Sequence, residues 1–113
     1  KVPSFNVIGN SPLVLRESLL DEVYTMGENF VDAAKRVVAP GMNGPFCIEG
    51  VYDENAKFTS FEFSARIVAG TNIYMDGSPY YSLLFNESMS MGKRIAREVK
   101  IAEEKNEIEK IVT

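Results

Sequence analysis

Apolar and polar positions recur with different periods along the chain, and each change of period marks an element. Leu19, Val23, Met26, Phe30, Ala33, Ala34 and Val37 follow one another in steps of three and four, which predicts an amphipathic helix. Lys35 and Arg36 in its last turn suit the negative end of the helix dipole, and Pro40 with Gly41 stops it. Gly27 is expected to weaken or divide that helix. Ahead of it, Phe5, Val7 and Ile8 form a short apolar run closed by Gly9, Asn10, Ser11 and Pro12, the pattern of a brief strand ending in a turn.

Further on the period shortens to two. Phe46 to Tyr52 and Phe58 to Ile67 are rich in β-branched and aromatic residues and flank Asp53 to Lys57, so they predict an antiparallel hairpin. In its second strand Phe61, Phe63, Ala65 and Ile67 share one face and Glu62, Ser64 and Arg66 the other. A two-residue turn at Asn55 and Ala56 would pair residues whose numbers sum to 111, setting Glu49 opposite Glu62, Ile48 opposite Phe63 and Gly50 opposite Phe61. Ala69 to Ser88, with Gly70, Asn72, Asp76, Gly77, Ser78 and Pro79 among tyrosines, is expected to be a long ordered loop holding one short strand or helical turn. Ser88 or Ser90 then caps a last helix with a stripe of Met91, Ile95, Val99 and Ala102, followed after a phase drift by Ile108, Ile111 and Val112.

Composition narrows the class. A chain of 113 residues, 45% apolar and 25% charged, fits one compact α+β domain. Its net charge of −4 disfavours nucleic acid and anionic membrane as partners. No apolar run approaches the roughly 20 residues that span a bilayer, and residues 1–10 lack a secretory signal's pattern. The single cysteine, Cys47, with no histidine, points to a reducing cytoplasm and leaves no Cys/His zinc site. The opening Lys1, Val2, Pro3, Ser4, Phe5 reads as the interior of a longer polypeptide.

The hairpin carries the candidate chemistry. Carboxylates directly opposed on neighbouring strands have Cβ atoms about 4.5–5.5 Å apart and repel, unless a hard divalent cation sits between them with phosphate oxygens and water completing its shell. Arg66 could offer a planar fork of donors to a phosphate. The plainer alternative is a solvated sheet face on which Arg66 pairs diagonally with Glu62. Spacing by itself leaves both open. Asn72 and Ser78 can donate hydrogen bonds from a loop whose Gly70 and Gly77 permit close backbone approach, which suits a formate or phosphate, or else the loop is structural. Arg16, Glu17 and Ser18 fit capping and salt-bridge roles, Lys93, Arg94, Arg97 and Lys100 a solvated helix face, and the methionines packing.

The segment Glu62, Phe63, Ser64, Ala65, Arg66 resembles the Glu-x-Ser/Asn-x-Arg strand of ATP-grasp ligases, with Glu49 standing 13 residues ahead of Glu62 as a second acidic position. Val7 to Asn10, Val14 to Leu20, Gly41 to Phe46 and Phe61 to Tyr80 are similar to the archaeal formate-dependent ligases of purine synthesis, the 5-formaminoimidazole-4-carboxamide ribonucleotide synthetases. The similarity continues into the last helix at Met91 to Ala96. The resemblance implies that residues 1–113 are the carboxyl-terminal metal- and substrate-binding portion of a longer cytoplasmic enzyme, an ATP-grasp lobe with a mainly antiparallel sheet and flanking helices.

It further implies Glu49 and Glu62 as ligands of Mg²⁺ or Mn²⁺, Asn10 as a contact to aminoimidazole carboxamide ribonucleotide, and Arg66 as a catalytic phosphate contact. ATP would be the co-substrate and formate the acyl donor, in a homo-oligomer formed through the parent protein. The chain has no Gly-rich phosphate loop, so it would be inactive alone. A different class of function stands beside this one: a binding or oligomerisation module of the same origin, docking through Tyr80, Tyr81, Leu83, Leu84 and Phe85.

Overall fold

The structure, a computed structural model, describes residues 3, 4 and 6–112. Helix α1 spans Leu20–Val37, strands β1 and β2 span Cys47–Tyr52 and Phe58–Ser64, and helices α2 and α3 span Tyr80–Phe85 and Met91–Glu104, with 3-10 turns at Glu17–Leu19, Ala69–Ile73 and Ile108–Lys110. The architecture is α+β, a two-stranded antiparallel sheet with flanking helices.

Helix α1 runs unbroken through Gly27, because the glycine faces the Phe46 ring, and its helical neighbours outweigh one unfavourable residue. The capping expected of Glu17 and Ser18 does not occur. The chain winds into α1 through the 3-10 turn instead, with the Leu19 N–H donating to the Arg16 carbonyl at 3.0 Å. Phe30 reaches from α1 to the hairpin, its ring centroid 5.3 Å from Phe46 and 4.6 Å from Phe63.

The hairpin turns differently from the two-residue expectation. Asp53 closes a longer loop, its Oδ1 accepting from the Asn55 and Lys57 N–H groups at 2.9 Å each, and Ala56 takes a left-handed φ of 59°. Tyr52 therefore pairs with Phe58 and Gly50 with Ser60, not Phe61. A bulge between Glu49 and Gly50 leaves Phe61 without a partner and restores the expected register beyond it, so that Glu49 faces Glu62, Ile48 faces Phe63 and Cys47 faces Ser64. The ring over Gly50 is Phe58, which a Cβ there would overlap. Strand β2 ends at Ser64, short of the expected Ile67, and Ala65 and Arg66 lie in a bend.

Residues 6–16 form no strand. Val7 and Ile8 are exposed, and among the described residues no neighbouring strand offers them a ladder; Phe5, part of the same expected strand, lies outside the described residues. The segment 69–88 holds more helix than expected, since Tyr80 to Phe85 make α2, closed by Asn86 at φ 57°. Ser90 caps α3 by accepting from the Lys93 N–H at 3.3 Å. The drift in the last apolar stripe is a true break. Asn106 at φ 56° ends α3, with Glu107 N–H bonded to Ala102 C=O at 2.7 Å and Asn106 N–H to Glu103 C=O at 3.0 Å.

The single compact core does not materialise. Among the described residues only Met89 and Ala102 are buried apolar side chains, while Phe61 and Phe63 remain 66% and 56% exposed. The radius of gyration is 16.0 Å, against about 13 Å for a compact 100-residue domain, and the extents are 54 × 34 × 27 Å. Phe30 joins the apolar face of α1 to that of the hairpin, while Leu83 and Leu84 on α2 stay exposed. Met75 is likewise exposed instead of packed.

Candidate functional site

Cys47, Glu49, Glu62 and Ser64 occupy one face of the hairpin, opposite the face that carries Ile48 and Phe63 toward Phe30. Glu49 is half-buried and Glu62 exposed. The Ser64 hydroxyl donates to Glu49 Oε1 at 3.4 Å. Burial pushes the Cys47 thiol above its ordinary value, Glu49's charge pushes it further, and the Arg66 guanidinium partly offsets both. Those couplings set Glu49, Cys47 and Arg66 in one electrostatic neighbourhood.

The diagonal ion pair between Arg66 and Glu62 is not formed among the described residues. Arg66 instead donates from Nη1 to the carbonyl of Ile67 at 3.1 Å, because the bend after Ser64 takes it off the strand. Glu49 and Glu62 supply hard oxygen donors on an open face, a set that fits Mg²⁺ or Mn²⁺ when one or two carboxylates are joined by phosphate and water. Among the described residues no cluster of three or more acidic, Cys or His side chains adds to them, so two carboxylates are what this hairpin contributes.

The second group lies around Tyr74. Asn72 is exposed in the 3-10 turn Ala69–Ile73, and Ser78 is half-buried, its Oγ accepting from the Tyr80 N–H at 3.2 Å while its own proton stays available. Asn10 is exposed in the irregular segment ahead of α1. Three residues later, Leu13 is bonded to the Tyr74 hydroxyl, which accepts from its N–H at 2.8 Å and donates to its C=O at 3.1 Å. The Tyr80 hydroxyl donates to the Leu15 carbonyl. The segment that follows Asn10 is thus tied, at Leu13 and Leu15, to Tyr74 and Tyr80 of the stretch that carries Asn72 and Ser78. No described hydrogen bond or ion pair joins this group to the Glu49–Glu62 pair.

Tyr74 belongs to none of the candidate groups that the sequence pattern offers, and Tyr80 enters only through the apolar docking cluster Tyr80 to Phe85. Their one signal was phenolic side chains in a Gly- and Asn-rich loop, where a hydroxyl needs a partner. The basic stripe of α3 is spent on structure: Glu87 takes Lys93 at 2.5 Å and Arg97 at 3.2 Å, Arg94 pairs with Glu98, and the Arg94 and Arg97 guanidinium groups lie 4.7 and 4.5 Å from the Phe85 ring centroid. The bond from Lys93, and then its charge, hold the Glu87 carboxyl below its ordinary range.

Two open grooves lie elsewhere. One, of about 640 Å³, runs between α1 and Phe46 and Ile48; the other, of about 650 Å³, runs between α3 and residues 42–46. Neither is lined by Glu49 or Glu62. Among the described residues no helix is long and apolar enough to cross a membrane.

Comparison with known proteins gives this geometry a context. The chain is 87% identical over 113 residues to the 5-formaminoimidazole-4-carboxamide-1-(beta)-D-ribofuranosyl 5'-monophosphate synthetase of Nitrosopumilus maritimus, covering 100% of this chain and 33% of that protein. It is 71% identical over 112 residues to the synthetase of the same name from Cenarchaeum symbiosum, again over 33% of that protein. The crystal structure of an IMP biosynthesis protein PurP from Thermococcus kodakaraensis superposes with a TM-score of 0.78 at 36% identity, over 97% of this chain and 36% of that one. The chain therefore spans about a third of the length of these relatives. A family model described as a domain of unknown function, DUF1297, matches residues 1–113, and the chain belongs to that family.

Proposed function

We propose that this chain is the carboxyl-terminal metal- and substrate-binding portion of an ATP-grasp ligase, cytoplasmic and homo-oligomeric, that formylates 5-aminoimidazole-4-carboxamide ribonucleotide with formate. The observation that carries the reading is the Glu49–Glu62 pairing at the head of the Glu62 to Arg66 segment. Its identity of 87% to a named synthetase supports the choice of substrate.

Glu49 and Glu62 would hold Mg²⁺ or Mn²⁺, which would supply positive charge to offset the negative charge developing on the phosphoryl group in transfer. The chain's own groups position and neutralise. Arg66, released from the Ile67 carbonyl, meets a phosphate with two parallel donors. Asn10, Asn72 and Ser78 donate to the ribonucleotide or formate. In the reaction the γ-phosphoryl group of ATP passes to a formate oxygen, giving ADP and formyl phosphate. The amino nitrogen of the ribonucleotide then attacks the formyl carbon, phosphate leaves, and the nitrogen loses a proton. No side-chain nucleophile is required, and the half-buried, protonated Cys47 thiol is a packing group.

The test is turnover of the full-length parent with ATP, Mg²⁺, formate and the ribonucleotide, comparing wild type with Glu49→Gln and Glu62→Gln. Formamide made by the wild type and lost in both variants supports the reading. Full turnover in both variants removes the pair from the mechanism.

A second reading, an oligomerisation module without activity of its own, is favoured by one observation. On α2, Leu83 and Leu84 are 73% and 62% exposed while Tyr80, Tyr81 and Phe85 turn inward. Leu83→Glu in the parent would then lower its molar mass in light scattering without a change in turnover per active subunit.

A further inference from the structure

Residues 6–15 form no ladder and lie on no buried face, yet their backbone is held at Leu13 and Leu15. Among the described residues, the hydrogen bonds that reach this segment are the two between Leu13 and the Tyr74 hydroxyl and the one from the Tyr80 hydroxyl to the Leu15 carbonyl. The carbonyls of Leu13 and Leu15, two residues apart, are satisfied as a strand's would be, by phenol groups in place of a partner strand.

Tyr74 can do this because its own backbone is fixed on both sides. Its N–H donates to the Thr71 carbonyl at 3.1 Å, and its carbonyl accepts from the Gly77 N–H at 2.9 Å. Gly77, at φ 74°, in turn packs so closely against the Met89 carbonyl that a Cβ would overlap it, and Met89 is the most buried apolar side chain described. The turn that carries Tyr74, the residue that clips Leu13, is therefore packed against the backbone of the buried Met89.

We infer that Tyr74, assisted by Tyr80, is a positioning residue that presents Asn10 to the ribonucleotide beside Asn72 and Ser78; this rests on the ligase reading given above. Asn10 lies three residues from the clipped Leu13, at most roughly 10 Å along an extended chain. Tyr74 itself stands between Asn72 and Ser78 in sequence. A loosely held segment would place its amide only part of the time, and apparent affinity falls with the fraction correctly placed. Loss of the clip should weaken ribonucleotide binding and leave the phosphoryl chemistry nearly intact.

The experiment uses the full-length parent with Tyr74→Phe, Tyr74→Phe with Tyr80→Phe, Asn10→Ala, and Tyr24→Phe as a control on α1. Tyr74→Phe is expected to raise KM for the ribonucleotide about fivefold and the double variant about twentyfold, on the scale of one to a few lost hydrogen bonds. The KM for ATP and kcat stay within about twofold, and Tyr24→Phe changes nothing. Amide exchange at Leu13 should quicken about tenfold in Tyr74→Phe.

Quickened exchange with an unmoved ribonucleotide KM, where Asn10→Ala raises it, overturns the inference and leaves the ligase reading standing. Unchanged exchange at Leu13 overturns the clip itself. An unmoved KM in Asn10→Ala removes the segment from the site, and a parent without turnover overturns the ligase reading together with the inference built on it.

Discussion

Glu49 and Glu62 face each other directly across the hairpin, while Phe61 beside them has no partner at all. The bulge that leaves Phe61 unpaired is what keeps two like charges in register, because the Asp53 loop sets every pair nearer the turn one residue out of step. A sheet that seeks only its own stability has no reason to hold two carboxylates opposite each other.

That opposition predicts a trade between stability and activity. Without metal and at low ionic strength, Glu62→Gln should stabilise the parent by about 0.2–1 kcal/mol, the scale of a relieved cross-strand repulsion. The same substitution should lower turnover by about a hundredfold or more. Urea denaturation of the metal-free parent and steady-state turnover check the two, and Mn²⁺ titration calorimetry reads the metal binding that links them. A destabilised variant with unaltered Mn²⁺ binding would contradict the assignment.

Phe30 holds α1 to the hairpin through Phe46 and Phe63. Phe30→Ala should cost about 2–4 kcal/mol, toward the lower end of the range for buried aromatic truncations because Phe63 is already half open to solvent. Phe30→Leu should cost about 1 kcal/mol. Urea midpoints of the parent, read at unchanged slope, give the comparison.

At Gly77 the backbone is left-handed, and a methyl group would meet both the Met89 carbonyl and the Tyr81 ring. Gly77→Ala should therefore cost about 3 kcal/mol. Gly70→Ala, which meets nothing nearby, should fall within about 0.5 kcal/mol. Equal effects at the two positions, measured by thermal denaturation, would show that the turn does not close as described.

Cys47 reports on its charged neighbours. Its folded-state thiol sits above the ordinary value of 9.0, so its stabilising contribution is complete below that pH and is lost as pH rises through the raised value. Alkylation near pH 8 should be slower in the native protein than in the unfolded chain, since the thiolate reacts. Glu49→Gln should speed it and Arg66→Ala slow it, each by about threefold at this partly solvated site. Iodoacetamide kinetics across pH test the order; a faster reaction in Arg66→Ala would place the guanidinium elsewhere.

Elements whose signals are local and repeated are legible in the order of residues alone. The steps of three and four from Leu19 to Val37 gave α1, a cap at Ser88 or Ser90 gave the start of α3, where Ser90 is the residue that caps, and the aromatic and β-branched runs gave the hairpin. It also placed Glu49 opposite Glu62, although by way of a turn that does not form.

Other features depended on partners distant along the chain. Val7 and Ile8 carry the apolar run of a strand, yet residues 6–16 find no ladder, and the backbone at Leu13 and Leu15 is taken instead by Tyr74 and Tyr80 some 60 residues on. Arg66 left the polar row because β2 ended at Ser64. A period of apolar residues states which face of an element will seek burial. It cannot state what will cover that face, which depends on how elements distant in sequence meet, and in this chain Leu83 and Leu84 stay exposed while Phe63 is covered in part by Phe30.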